Sequence, residues 1–203
     1  MNLRTSTLAL LAANAIPLVG VALLDWSAFS VLALYWLETA IIGVFTLLKI
    51  ATCRANAIQK LFLMPFFCVH FGGFMVVHGV FVTLIGTSGF GSPFAAVGTL
   101  VRTVVFDAPG GLLGAGALVV SHGVSFVTNF LGREREHADP RATMMAVYPR
   151  VVVMHVAVMF GAAATFMLGQ PEVAIALLVV LKTVLDLAAH RREHASSTST
   201  TRP

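Results

Sequence analysis

Histidines and carboxylates recur within stretches otherwise built from Leu, Val, Ala and Phe, and their spacing points to three kinds of chemistry. Glu38 follows Tyr35-Trp-Leu; His70 and His78 share one apolar run; His122, Ser125 and Asn129 share another; His155 lies in a third; Lys182, Asp186 and His190 follow one another at steps of four. Ionisable groups in lipid-facing segments are costly and mark functional sites by default. Neutral imidazole beside carboxylate suits zinc, iron or copper, with an open position for a metal-bound water that attacks at neutral pH. In this reading His122, His155, Asp186 and His190 are the ligand candidates. Glu38 is the candidate catalytic base or a partner of a ligating ring, Asn129 orients a ligand, and Lys182 balances charge. The same imidazoles suit a b-type haem held between two rings, for which His70 and His122 are the natural pair and His78 a further cofactor-binding candidate. A chain of Glu, His, Asp and Lys also suits proton or ion translocation.

The elements that carry these residues are long apolar runs. With 58% hydrophobic and 11% charged residues, the composition lies outside that of soluble domains. Runs at 6–24, 28–49, 61–86, 111–131, 149–168 and 172–190 are each close to the ~20 residues that cross a bilayer. Backbone at membrane depth must satisfy its own hydrogen bonds, so these runs are read as helices. The expected fold is all-α, an integral membrane bundle of about six transmembrane helices forming a single domain over 1–190, with a disordered Ser/Thr-rich tail at 191–203. The first run is read as a retained span, since it lacks a small-x-small cleavage site before Asp25. The apolar piece at 94–106 is too short to span and is expected to be an interfacial or re-entrant helix on the outer face.

Alternate connections carry the positive charge. Eleven of the 13 Lys and Arg residues fall on one side, Arg102 falls on the other, and Lys182 lies inside a span, which puts both termini in the cytoplasm. The basic residues are clustered between apolar runs instead of lining one surface, so the chain's partner is the lipid bilayer and not nucleic acid. Two cysteines give neither a disulfide framework nor a CxxC metal signature.

Depth was counted inward from the nearest basic residue at about 1.5 Å per residue. Glu38 is 11 residues from Lys49, His70 is 10 from Lys60, His122 is 11 from Arg133 and Lys182 is 9 from Arg191, which places these four near the bilayer middle. His155 is only 5 residues from Arg150, so the count puts it near the cytoplasmic surface, with His78 towards the outer one. The stripe of His122, Ser125 and Asn129 is expected to face the bundle interior. Glycines such as Gly72, Gly73 and Gly114 are expected to allow close helix packing.

Several of these segments together resemble a bacterial membrane-protein family of unknown function: Tyr35-Trp-x-Glu38 with Gly43; Phe66-Phe-x-x-His70-Phe-Gly72 with His78; Ser121-His122-x-x-Ser125-Phe-x-x-Asn129; Tyr148-Pro-Arg150 with His155; and Lys182-x-x-x-Asp186-x-x-x-His190-x-x-Glu193-His194. The resemblance covers nearly the whole chain. It implies one shared polar site in a multi-pass protein of the bacterial inner membrane, and it brings no activity, substrate or cofactor with it. A metal-dependent membrane enzyme acting on a lipid-soluble substrate is the leading expectation, with the haem subunit and the translocation protein as alternatives. Gly86-Thr-Ser88-Gly89 also resembles the GxSG motif of rhomboid proteases over four residues, but Pro93 follows too closely for Ser88 to open a transmembrane helix.

Overall fold

The computed structural model describes Gly20, Leu23, residues 26–86 and residues 92–168. The described residues are helical and contain no strand. We number the helices α1 (Ala28–Thr52), α2 (Ala57–Gly86), α3 (Pro93–Arg102), α4 (Gly111–Ser125), α5 (Pro140–Met145) and α6 (Tyr148–Leu168). Helix α3 runs on into a π-helical turn at Thr103–Asp107, and α4 into a π-helix at Phe126–Glu134. Four helical segments are long and apolar enough to cross a membrane: Phe29–Thr52, Ala57–Leu84, Gly111–Glu134 and Pro140–Phe160. They correspond to the second to fifth expected spans. The first and sixth expected spans and the tail fall largely or wholly outside the described residues.

Two compact units divide the chain, one formed by residues 29–155 and the other by 1–28 with 156–203. In the second unit the Trp26 N–H donates to the Gly20 carbonyl (3.1 Å), and the Trp26 ring fills the space where a side chain at Gly20 would stand.

Within residues 29–155, cross-helix contacts fix relative directions. The Trp36 indole N–H donates to the Met75 carbonyl (2.8 Å), and Gly43 lies against the Phe71 ring, so α1 and α2 are antiparallel. Phe45 meets His122 and Phe126, and Lys49 lies over the Phe130 ring, so α1 and α4 run the same way. His70 meets Tyr148 and His78 meets His155, so α2 and α6 are also parallel. Chain reversal at each membrane crossing requires this alternation.

The ends agree with it. Arg54 at the close of α1 pairs with Glu136 after α4 (2.9 Å), and the Arg54 N–H donates to the Arg135 carbonyl (3.1 Å). Lys60 at the start of α2 donates back to the carbonyls of Ala51 and Cys53. Arg54, Lys60, Arg133 and Arg135 are thereby gathered at one end of this unit.

Glycine spacing misled where packing was concerned. Among the described residues, side chains at Gly72, Gly73 and Gly114 would meet nothing within 4 Å. Close packing occurs instead at Gly43 against Phe71, and at Gly79, where a Cβ would lie 3.2 Å from Leu100 and 3.4 Å from Trp36. Helix α3 seats there on α2, burying Ala96 and Leu100, with the Thr83 hydroxyl donating to the Gly79 carbonyl (2.8 Å) and lying 3.3 Å from the Ala96 carbonyl. Ten residues reach about 15 Å, half a bilayer core, so α3 does not span. Its start is set by Ser92, whose hydroxyl accepts from the Ala95 N–H, and by Pro93 in the first turn.

Candidate functional site

Two imidazoles face each other between α2 and α6. His78 Nε2 lies 2.6 Å from His155 Nδ1, with ring centroids 4.8 Å apart and planes inclined at 64°. His78 is buried and His155 exposed. His78 Nδ1 lies 3.0 Å from the Phe74 carbonyl, one turn back on its own helix. A carbonyl only accepts, so Nδ1 carries the proton and Nε2 of neutral His78 offers its lone pair. It follows that the proton between the rings belongs to His155 Nδ1, which leaves His155 Nε2 bare. Phe74 stacks on His78 at 3.8 Å and walls the pair on one side.

The same two helices hold a second aromatic contact, His70 with Tyr148 at 5.7 Å. From it to the His78–His155 pair is 8 residues along α2 and 7 along α6, about 12 Å and 10 Å of rise, so the two contacts are rungs of one parallel register. His70 is exposed and stacked on Phe66 (5.3 Å).

A separate polar group gathers around α4. His122, half-buried, stands 6.0 Å from Phe45 and has Glu38, Arg150 and Lys49 as charged neighbours. On α1 it is Phe45 that stands level with His122, and Glu38 lies seven residues, about 10 Å, away along the helix. Ser125 and Asn129 do not join them: both are exposed, and the Asn129 amide donates to the Ser125 hydroxyl (3.2 Å).

Of the four ligand candidates, His155 lies with His78 and His122 with Phe45, while Asp186 and His190 lie outside the described residues, as does Lys182. His70 and His122, the expected haem pair, sit in different surroundings, the first beside Phe66 and Tyr148 and the second beside Phe45. Ser88 of the GxSG-like motif is also outside the described residues. Among the described residues, no group of three or more His, Cys, Asp or Glu side chains is placed to share a metal ion.

Two features escaped the sequence reading. The Phe74 carbonyl that sets the His78 tautomer is a backbone atom four residues upstream, and no side-chain pattern announces it. In the sequence Arg150 reads as a surface residue, next to the start of the fifth apolar run. Tyr148 is level with His70, and the fifth span opens at Pro140, eight residues earlier, where α5 packs on α2. Asp139 caps that opening by accepting from the Ala142 N–H (2.7 Å), and Pro140 takes the first turn.

The family model for a family of unknown function, DUF6498, matches residues 1–203. The chain belongs to this family. Neither a curated protein nor a solved structure matches it. Membership in DUF6498 therefore accounts for the resemblance over the whole chain, and any activity has to be argued from the geometry.

Proposed function

We propose that this DUF6498 protein is a six-span, multi-pass protein of the bacterial inner membrane, with cytoplasmic termini, whose His78–His155 pair binds a transition metal. Zinc, iron and copper are the ions its imidazole chemistry suits. The observation that carries the reading is the hydrogen bond from His78 Nδ1 to the Phe74 carbonyl, which aims a bare Nε2 at the partner ring. Metal-ligating histidines are oriented by this kind of backbone contact.

His78 Nε2 and His155 Nδ1, 2.6 Å apart, are the nitrogens that would hold the ion, with the His155 proton carried on Nε2 instead of Nδ1. Exposed His155 is the ring free to make that change. A bound ion would supply Lewis-acid activation of water beside a lipid-soluble substrate.

The test is the metal content and absorption spectrum of detergent-purified protein prepared without metal-affinity resin. Stoichiometric zinc, copper or iron, lost in H78A and H155A and kept in H122A, is the expected result. A Soret band with stoichiometric iron would replace this reading with haem ligation. A second reading, proton transfer through the pair, is favoured by the 2.6 Å separation itself, which is that of a strong hydrogen bond. Wild-type protein free of metal, with a proton flux in vesicles abolished by H155A, would establish it over the metal site.

A further inference from the structure

The His78–His155 pair stands far from the basic end of the bundle. That end is where α1 closes and α2 opens. It is tied together by the Arg54–Glu136 pair, by the Arg54 N–H on the Arg135 carbonyl, and by the Lys60 ammonium on the carbonyls of Ala51 and Cys53. An excess of Lys and Arg marks the cytoplasmic end of a polytopic chain. His78 is 18 residues beyond Lys60, about 27 Å of rise in a hydrocarbon core about 30 Å thick. His155 is 15 residues beyond Pro140, about 22 Å. The pair therefore lies within about 3–8 Å of the outer surface and more than about 20 Å from the inner one.

Helix α3 marks that outer surface. It seats on α2 directly after the pair: Leu100 and Val97 stand against Gly79, the residue that follows His78, and the Thr83 hydroxyl lies 3.3 Å from the Ala96 carbonyl. One turn past Leu100, the Val104 carbonyl occupies the space that a side chain at Gly111 would take, at the opening of α4. Helix α3 thus lies across the outer ends of α2 and α4. Its Arg102 and the nearby Asp107, 3.6 Å apart, keep 78% and 53% of their side-chain surface accessible, the exposure of an ion pair in water or among headgroups. The two rings of the pair differ in access, His78 being buried and His155 exposed. Hydrocarbon excludes an unpaired ion, so the short path from the outer surface to His155 decides the side of entry.

We propose that the His78–His155 pair is an outer-face site, which takes its ion through His155 from the aqueous phase opposite the cytoplasm. The identity of what binds rests on the metal reading above; the side rests on depth alone.

The experiment treats right-side-out and inverted membrane vesicles, both carrying the zinc-loaded full chain, with EDTA, to which sealed bilayers are impermeable. The vesicles are washed and solubilised, and zinc per chain is measured after purification without metal-affinity resin. Loss of zinc from right-side-out vesicles and its retention in inverted ones is expected. Loss from inverted vesicles alone, from both, or from neither would overturn the proposal. A chain that binds no zinc in any preparation removes the metal reading, and the side is then read by a membrane-impermeant maleimide on single-cysteine variants made with C53S and C68S. His155→Cys and Arg102→Cys should label in right-side-out vesicles and Arg54→Cys in inverted ones. Labelling of His155→Cys from the same side as Arg54→Cys would overturn the outer placement.

Discussion

Removing one ring of the His78–His155 pair strands the other, and the energy of that contact is measurable as a coupling. His155→Ala deprives the buried Nε2 of His78, a residue with 3% of its surface accessible, of its hydrogen-bond donor. An unsatisfied buried acceptor costs about 1–3 kcal/mol, while side-chain hydrogen bonds between membrane helices average about 0.6 kcal/mol and reach about 1.7 kcal/mol. Because His155 is exposed and gives up little packing, H155A should cost about 1–2 kcal/mol. H78A should cost more, since it also loses the stacked contact with Phe74 and the bond to the Phe74 carbonyl. In a double-mutant cycle the coupling should then be about 1 kcal/mol with chelator present. Saturating zinc at about 100 times its dissociation constant adds about 2.7 kcal/mol to wild type alone, so the apparent coupling should rise several-fold. The assay is unfolding of the micellar protein by increasing SDS fraction, followed by tryptophan fluorescence, on wild type, both single variants and the double variant. A coupling within about 0.3 kcal/mol of zero under both conditions would refute the pairing of the rings. Coupling with chelator that zinc leaves unchanged would retain the hydrogen bond and remove the metal.

Other contacts give sharp contrasts in the same assay. Gly43→Ala drives a methyl into the Phe71 ring, which is itself stacked on Phe67 at 4.8 Å, and should cost about 1–3 kcal/mol; Gly72→Ala adds its methyl to open space and should be neutral or slightly stabilising. Trp36→Phe removes the indole bond to the Met75 carbonyl and should cost about 1 kcal/mol, with a larger loss showing that α1 and α2 part at that level. Asp139→Ala removes the cap from the start of the fifth span and should cost about 0.5–2 kcal/mol, while Asp139→Asn should recover most of it. Metal bound by the pair should be lost as pH falls, because a ligating nitrogen must be unprotonated. Metal content after equilibrium dialysis across a pH series measures it, and a content independent of pH down to full protonation of imidazole would point to ligands other than histidine.

The helices were legible because lipid leaves the backbone one economical solution, and a run of apolar residues long enough to span declares it. Their pairing was only partly legible. Charge placement correctly grouped Arg54, Lys60 and Arg133, whereas glycine placement pointed to Gly72 and Gly114 when Gly43 and Gly79 are the close approaches. Gly43 and Gly79 report packing sites because the partner element brings a large ring or branched side chain opposite, as Phe71 and Leu100 do, and that partner is set by tertiary register. The site shows the same division. Residue types singled out the imidazoles, but depth counting separated His78 from His155 because it takes Arg150 as the point where the chain enters the membrane. An arginine marks the surface only if nothing inside compensates its charge. The segment Pro140–Phe160, long and apolar enough to span, holds Arg150 within it and opens at the Asp139 cap. Counted from Pro140, His155 lies 15 residues in, about 22 Å, and meets His78, which is 18 residues or about 27 Å beyond Lys60. In polytopic chains the first turn of a capped helix is therefore a better origin for depth than the nearest positive charge, and here that change of origin is enough to move His155 from the cytoplasmic surface to the side of His78.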